Sequence, residues 1–168
     1  FIVGILIPYQ ALFLPIYTIG YRMKLTNTRY GIILMYVATG ISFGVFLMTS
    51  FMNTVPLELE ESARIDGCSV FQTYFKIVLP LLKPAMATLI IMQAFQIWND
   101  YLLPYLVLDI KKYKTISIAI QYLKGGYGTI DMGAMMGVLV LSIIPIIAFY
   151  LACQKYIIEG VVAGAVKG

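Results

Sequence analysis

Gly31 to Met52 reads GIILMYVATGISFGVFLMTSFM. These residues carry no charge, and a helix of that length rises about 33 Å, enough to cross a bilayer core of ~30 Å. A surface helix of a soluble domain buries one apolar stripe and presents charges on the other face. This run has no charges to present. It predicts a membrane-spanning helix, and the rest of the chain reads outward from it.

The composition agrees. Of 168 residues, 61% are hydrophobic and 12% charged, with a mean hydropathy of +0.89. Soluble domains run nearer 45–50% apolar and about 25% charged. A soluble enzyme and a nucleic-acid-binding domain are both disfavoured. The net charge of +4 comes from twelve Lys/Arg against eight Asp/Glu, thinly spread, with no stripe suited to nucleic acid. There is no histidine, which excludes Ser-His and Cys-His catalysis and histidine metal sites. Cys68 and Cys153 form no CxxC pair and read as two free thiols, so no metal site is expected. No GxxxxGK[ST] loop occurs. Gly125-Gly126-Tyr127-Gly128 lacks a following Lys-Ser/Thr and reads as a flexible turn. Energy-driven work would therefore need nucleotide hydrolysis on another chain.

Four spans are expected, at about residues 1–19, 31–52, 85–108 and 132–153. The first is marginal, with Pro8, Gln10 and Pro15, and the fourth carries Pro145. The chain starts at Phe1 inside an apolar run, which leads us to expect further spans before it. Gly40/Gly44 and Gly133/Gly137 are small-xxx-small pairs that permit close helix approach within one bundle. Four spans put the connections 20–30 and 109–131 on one side and the insert 53–84 with the C-terminal tail on the other. Lys/Arg number seven on the first side against five on the second. The positive-inside rule, taken alone, leans toward the first side being cytoplasmic.

The insert is the most informative polar stretch. Pro56 with Glu58, Glu60 and Glu61 suits a helix start. Glu60 and Arg64 stand i, i+4 in the favourable order. Gly67 suits a C-terminal cap, and Ser69 with Gln72 spells a capping box for a second helix. Phe71, Tyr74, Phe75 and Val78 fall on one face of that helix. Pro80 should stop it, and Pro84 should open the next span. The first helix has about ten residues, too few to stand alone in water. It must pack against its own bundle or against a partner protein.

Glu61-Ser62-Ala63, then Gly67, Ile77 and Leu79-Pro80, have the spacing of the EAA loop. The chain in this respect resembles the membrane permeases of binding-protein-dependent ABC importers. Ser62 departs from the usual alanine, but serine is small enough to keep the packing. The run Glu58 to Gly67, Trp98-Asn99-Asp100-Tyr101, Gln154-Lys155-Tyr156 and the ending Gly164-Ala165-Val166-Lys167-Gly168 are similar to the carbohydrate-importer branch. The resemblance implies an all-α, polytopic membrane helix bundle of the type I importer permease kind with a two-helix cytoplasmic loop. It implies that Glu58, Glu61, Ser62, Ala63, Asp66, Gly67, Ile77, Leu79 and Pro80 serve coupling to a cytoplasmic ABC ATPase dimer. It further implies a second permease subunit, an extracytoplasmic solute-binding protein, and a bacterial or archaeal plasma membrane. ATP and Mg would reside on the ATPase, with no cofactor on this chain. The implied sidedness opposes the charge count, and we follow the resemblance because seven against five is a narrow margin.

Gln93, Gln96, Asn99 and Asp100 interrupt the apolar third span. Gln93, Gln96 and Asp100 are spaced for one helical face. Polar groups at membrane depth usually face a bundle interior or a watery cavity, where they could line a pathway for a polyhydroxylated solute. An interfacial role for Asp100 is the equal alternative. Trp98 and Tyr101 suit an aromatic belt. An ion-coupled secondary carrier would want more ionisable groups inside spans, and a non-transporting scaffold held by its glycine faces is the other alternative.

Overall fold

The structure, a computed structural model, describes residues 1–123 and 131–165. The Gly125–Gly128 turn and the last three residues of the chain lie outside it, as does Lys124 of the third connection. Twelve-element helical architecture follows the chain order, with no strand among the described residues. Helix α1 (Ile2–Leu6) leads through a 3-10 turn (Tyr9–Leu12) to α2 (Phe13–Arg22). Next come α3 (Arg29–Met52) and the insert helices α4 (Leu57–Ile65) and α5 (Val70–Thr73). A π-helical turn (Tyr74–Val78) continues into α6 (Leu79–Leu81), then α7 (Lys83–Asn99). Helices α8 (Leu102–Val107), α9 (Ile116–Tyr122) and α10 (Met132–Ala165) complete the set.

Two of the described helices, α3 and α10 over Met132–Lys155, are long and apolar enough to cross a membrane. A third span results if Val70–Leu81 and Lys83–Asn99, bent by 63°, are taken together. The run 1–19 is not one helix. Pro8 sits outside the 3-10 turn as its N-cap, with extended ψ, and Pro15 falls in the first turn of α2, where its missing N–H removes no bond. The run 85–108 is also divided. Helix α7 starts two residues early, stops at Asn99, and Asp100 turns extended before α8.

Pro80 does not end the insert's second helix. The chain stays helical through it to Leu81 and bends after Leu82. A proline ring crowds the carbonyl four residues back, here Lys76, and the wide π turn over Tyr74–Val78 gives it room.

Helix α7 is the centre of the bundle, lying against both α3 and α10. Phe95 of α7 meets Phe149 of α10 edge to face, with centroids 5.8 Å apart. At the end away from the insert, Phe13, Met35, Leu103 and Val107 form a buried cluster joining α2, α3 and α8. The connection after α2 is pinned onto this cluster by Asn27 N–H donating to the Val107 carbonyl at 2.9 Å. Elsewhere the helices keep apolar side chains outward, such as Ile33, Val140 and Leu141. In lipid such surface carries no penalty.

Candidate functional site

The insert is a helical hairpin whose corner is fixed by backbone bonds. Helix α4 begins after Pro56, with Glu58 and Glu60 in its first turn, where negative charge complements the helix dipole. It ends in a paired capping pattern. Cys68 N–H reaches the Ala63 carbonyl at 2.9 Å and Gly67 N–H reaches Arg64 at 3.0 Å. That pattern requires a left-handed residue, and Gly67 has φ +80°. A Cβ at Gly67 would meet nothing within 4 Å. The glycine is therefore needed for its backbone, not for space.

The second arm starts from a complete capping box. Ser69 N–H donates to Gln72 Oε1 at 2.8 Å, and Gln72 N–H donates to Ser69 Oγ at 3.3 Å. Ala63 is 3% exposed between the two arms, beside buried Thr73 and Val78. Ser62 is exposed, and its hydroxyl donates to the Glu58 carbonyl at 2.7 Å. Its polarity is thus satisfied within the helix, which is why the departure from alanine leaves the packing intact. Glu58, Glu61 and Asp66 stand exposed on α4 and its cap; Ile77 and Leu79 are half-buried and Pro80 exposed. Glu60 and Arg64 line a cavity of about 190 Å³ with Met52, Val70, Thr73 and Tyr74.

The expected apolar stripe is divided. Val78 is buried, but Phe71 is 78% and Phe75 60% exposed. Ile65 and Val70, which flank the corner, are exposed as well. The buried side of the hairpin is the one its two arms share. The second arm leaves Phe71 and Phe75 exposed, and the first arm with its cap leaves Glu61 and Asp66 exposed.

A second set of polar groups sits between the helices. Gln93 of α7 lies against Gly40 of α3, where a Cβ would stand 3.2 Å from the Gln93 Oε1. Glycine at 40 leaves room for that amide. Gln93 and Gln96 line a cavity of about 300 Å³ together with Tyr9, Thr39 and Ser42. Asn99 and Asp100 do not line that cavity. Asn99 is exposed, and its Nδ2 donates to the Phe95 carbonyl of its own helix at 2.9 Å. Asp100 is the residue that ends α7. The two tyrosines it bonds, Tyr9 lining the cavity with Gln93 and Gln96 and Tyr36 lining another with Gln93, keep it on the side of α7 that carries those amides. Its Oδ2 accepts from Tyr36 Oη at 3.0 Å and Tyr9 Oη at 3.3 Å, while Oδ1 accepts from Leu102 N–H at 3.0 Å. The carboxylate caps α8 and binds two tyrosines from other elements. Tyr9, Tyr36, Thr39 and Ser42 escaped the sequence reading. Each looks unremarkable in an apolar run, and only the crossing of α3 with α7 and the fold-back of the first turn bring them together.

The family described as binding-protein-dependent transport system inner membrane component matches residues 1–162. The chain is 38% identical over 167 residues to a probable starch degradation products transport system permease protein of Thermoanaerobacterium thermosulfurigenes, covering 99% of this chain and 60% of that protein. It is 36% identical over 167 residues to the multiple sugar-binding transport system permease protein MsmG of Streptococcus mutans, with the same coverage, 99% and 60%. The arabinooligosaccharides transport system permease protein AraQ of Bacillus subtilis is 33% identical over 163 residues, covering 97% of this chain and 57% of that one. The chain thus spans about 60% of the length of these curated relatives. Among crystal structures, a bacterial ABC transporter that imports the acidic polysaccharide alginate superposes with a TM-score of 0.70 at 25% identity. That match covers 86% of this chain and 55% of the other.

Proposed function

The chain belongs to the binding-protein-dependent transport system inner membrane components, and from that premise we propose that it is the permease subunit of an ATP-driven importer for a sugar or oligosaccharide. The solute class draws support from the names of relatives that the chain matches along nearly its whole length. Placement in a bacterial or archaeal plasma membrane is part of the same proposal. So is a full assembly of this chain, a second permease, two ATPase domains and an extracytoplasmic solute-binding protein. ATP and Mg act on the ATPase domains, and this chain carries the mechanical half of the cycle.

The observation that carries the reading is the hairpin tip. Phe71 and Phe75 stand exposed on the second arm and Glu61 and Asp66 on the first arm and its cap, across a corner clamped by the Gly67 cap and the Ser69 box. A rigid corner transmits displacement, because bending it breaks several backbone bonds at once. Exposed aromatic rings on a hairpin that also carries exposed carboxylates suit a protein groove better than water. The groove belongs to the cytoplasmic ATPase. Its closure on ATP pushes the hairpin, and the 63° bend joins the hairpin directly to α7. Since α7 carries Gln93 and Gln96, motion of the insert reaches the polar cavity without an intermediate element. These amides, with Thr39 and Ser42, supply donors and acceptors for sugar hydroxyls on the pathway.

The test is purification of the native complex followed by uptake into proteoliposomes. A soluble ATPase should copurify, and labelled oligosaccharide should enter only with ATP and the solute-binding protein. Uptake driven by an ion gradient without ATP would overturn the proposal.

A further inference from the structure

The face opposite the insert carries an unusual concentration of positive charge. Arg29 opens α3, and its guanidinium carbon lies 5.5 Å from the centroid of the Tyr113 ring. The Lys112 ammonium lies 5.3 Å from the same centroid. Lys114 stands 5.3 Å from the Tyr122 ring. Two connections far apart in sequence therefore meet on one half-buried tyrosine, with two cations over it. A cation–π contact at an exposed site is weak and does not neutralise charge.

The carboxylates of this side keep their charge while holding backbone. Asp109 Oδ1 accepts from Lys111 N–H at 2.9 Å, and Asp131 Oδ1 accepts from Ala134 N–H at 2.9 Å. Against these two aspartates the connections 20–30 and 109–131 carry seven Lys/Arg, so the balance is positive and favours an anion. With the insert cytoplasmic, these basic residues lie on the outer face, where the Lys/Arg count exceeds that of the insert side by the narrow margin of seven to five. Lys24 joins them from a left-handed turn, φ 56°, held close to α8 by the Asn27–Val107 bond.

Depth identifies the anion. Arg29 is two residues, about 3 Å of helix rise, before the uncharged run that starts at Gly31, which sets it at the end of the candidate span where the membrane interface is expected. Tyr21, Tyr30 and Tyr122 are 66%, 61% and 50% exposed at the same end, as in an interfacial tyrosine belt. The chemistry found at that level is the lipid phosphate. A docked soluble protein would instead reach side chains that project beyond the belt. We propose that Arg29, Lys112 and Lys114, arranged on Tyr113 and Tyr122, bind the phosphate headgroup of an anionic phospholipid in the leaflet opposite the insert. The site depends on the membrane placement of the bundle but not on the solute or on coupling.

The experiment uses the complete transporter in nanodiscs of phosphatidylcholine with phosphatidylglycerol. Native mass spectrometry then counts the phosphatidylglycerol retained on release from the disc. Each basic residue near an anionic surface contributes about 1 kcal/mol, which is roughly fivefold in affinity. Arg29→Gln and Lys112→Gln should each reduce retention about fivefold and the double variant about thirtyfold, whereas Lys83→Gln at the insert end should retain wild-type levels. Both residues are exposed, so assembly should be unaffected, and subunit copurification checks this directly. Equal retention by the double variant and wild type would overturn the proposal. So would a double variant that keeps its lipid but loses stimulation by the solute-binding protein, because the patch would then dock protein.

Discussion

Tyr36 and Asp100, 64 positions apart, meet through a 3.0 Å hydrogen bond from the phenol hydroxyl to Oδ2. Tyr9 donates to the same oxygen at 3.3 Å, and the other oxygen caps α8. One carboxylate thus ties the first 3-10 turn, α3, the end of α7 and the start of α8. A bond of this kind is worth about 1–3 kcal/mol when one partner is deleted from a partly buried site. Tyr36→Phe should lower the stability of the purified complex by about that amount. Asp100→Ala should cost more, since it removes every one of these bonds. Thermal unfolding in detergent measures both, and an unchanged midpoint for Asp100→Ala would remove the carboxylate from its organising role.

Gly67 yields a prediction with an internal control. Its φ of +80° is the demand, because a Cβ there meets no atom within 4 Å. Left-handed backbone costs a typical L-residue about 1–2 kcal/mol, and asparagine tolerates it better than most. Gly67→Val should distort the corner and uncouple ATP hydrolysis from uptake. Gly67→Asn should keep most of the coupling. Equal loss in both variants would mean that the position matters for contact rather than for conformation.

The polar residues of α7 should separate in uptake assays. Gln93 and Gln96 face a shared cavity. Gln93→Ala and Gln96→Ala should each lower uptake with assembly intact, by the roughly tenfold that about 1.4 kcal/mol of lost hydrogen bonding represents. Asn99→Ala should be nearly silent, because among the described residues that side chain bonds the Phe95 carbonyl of its own helix. A larger effect at Asn99 than at Gln93 would displace the pathway from this cavity.

Sidedness can be read by thiol labelling in a Cys153→Ser background. An impermeant reagent should miss Cys68 in intact cells and reach it after permeabilisation. It should label an engineered Lys112→Cys from outside. The reverse pattern would restore the orientation suggested by the charge count.

The local devices of the insert were legible in the sequence because each is a short-range rule. The Gly67 cap, the Ser69–Gln72 box and the acidic start of α4 all depend on neighbours within five residues. The membrane helix over 31–52 was equally plain from its lack of charge. Breaks were harder to place. The break at Asp100 did have a local signal, an aspartate whose oxygen accepts from Leu102 N–H ahead of Pro104 in the first turn of α8. The bonds from Tyr9 and Tyr36 to the same carboxylate come from distant segments and were not legible. Pro80 misled in the other direction, since its cost is absorbed by a π turn that composition does not encode. Helical periodicity likewise put Phe71, Phe75 and Val78 on one face. Only the packing distinguishes the buried Val78 from the exposed rings.

The central claim is that the exposed hairpin tip is the contact through which an ATPase moves this chain. It is tested most directly by placing a photoreactive benzophenone side chain at position 71, which is 78% exposed in the wild-type phenylalanine. The native complex is then illuminated with and without ATP. The account predicts a covalent adduct with the ATPase subunit whose yield changes with nucleotide. An adduct formed with lipid or with the second permease, and none with the ATPase, would contradict it.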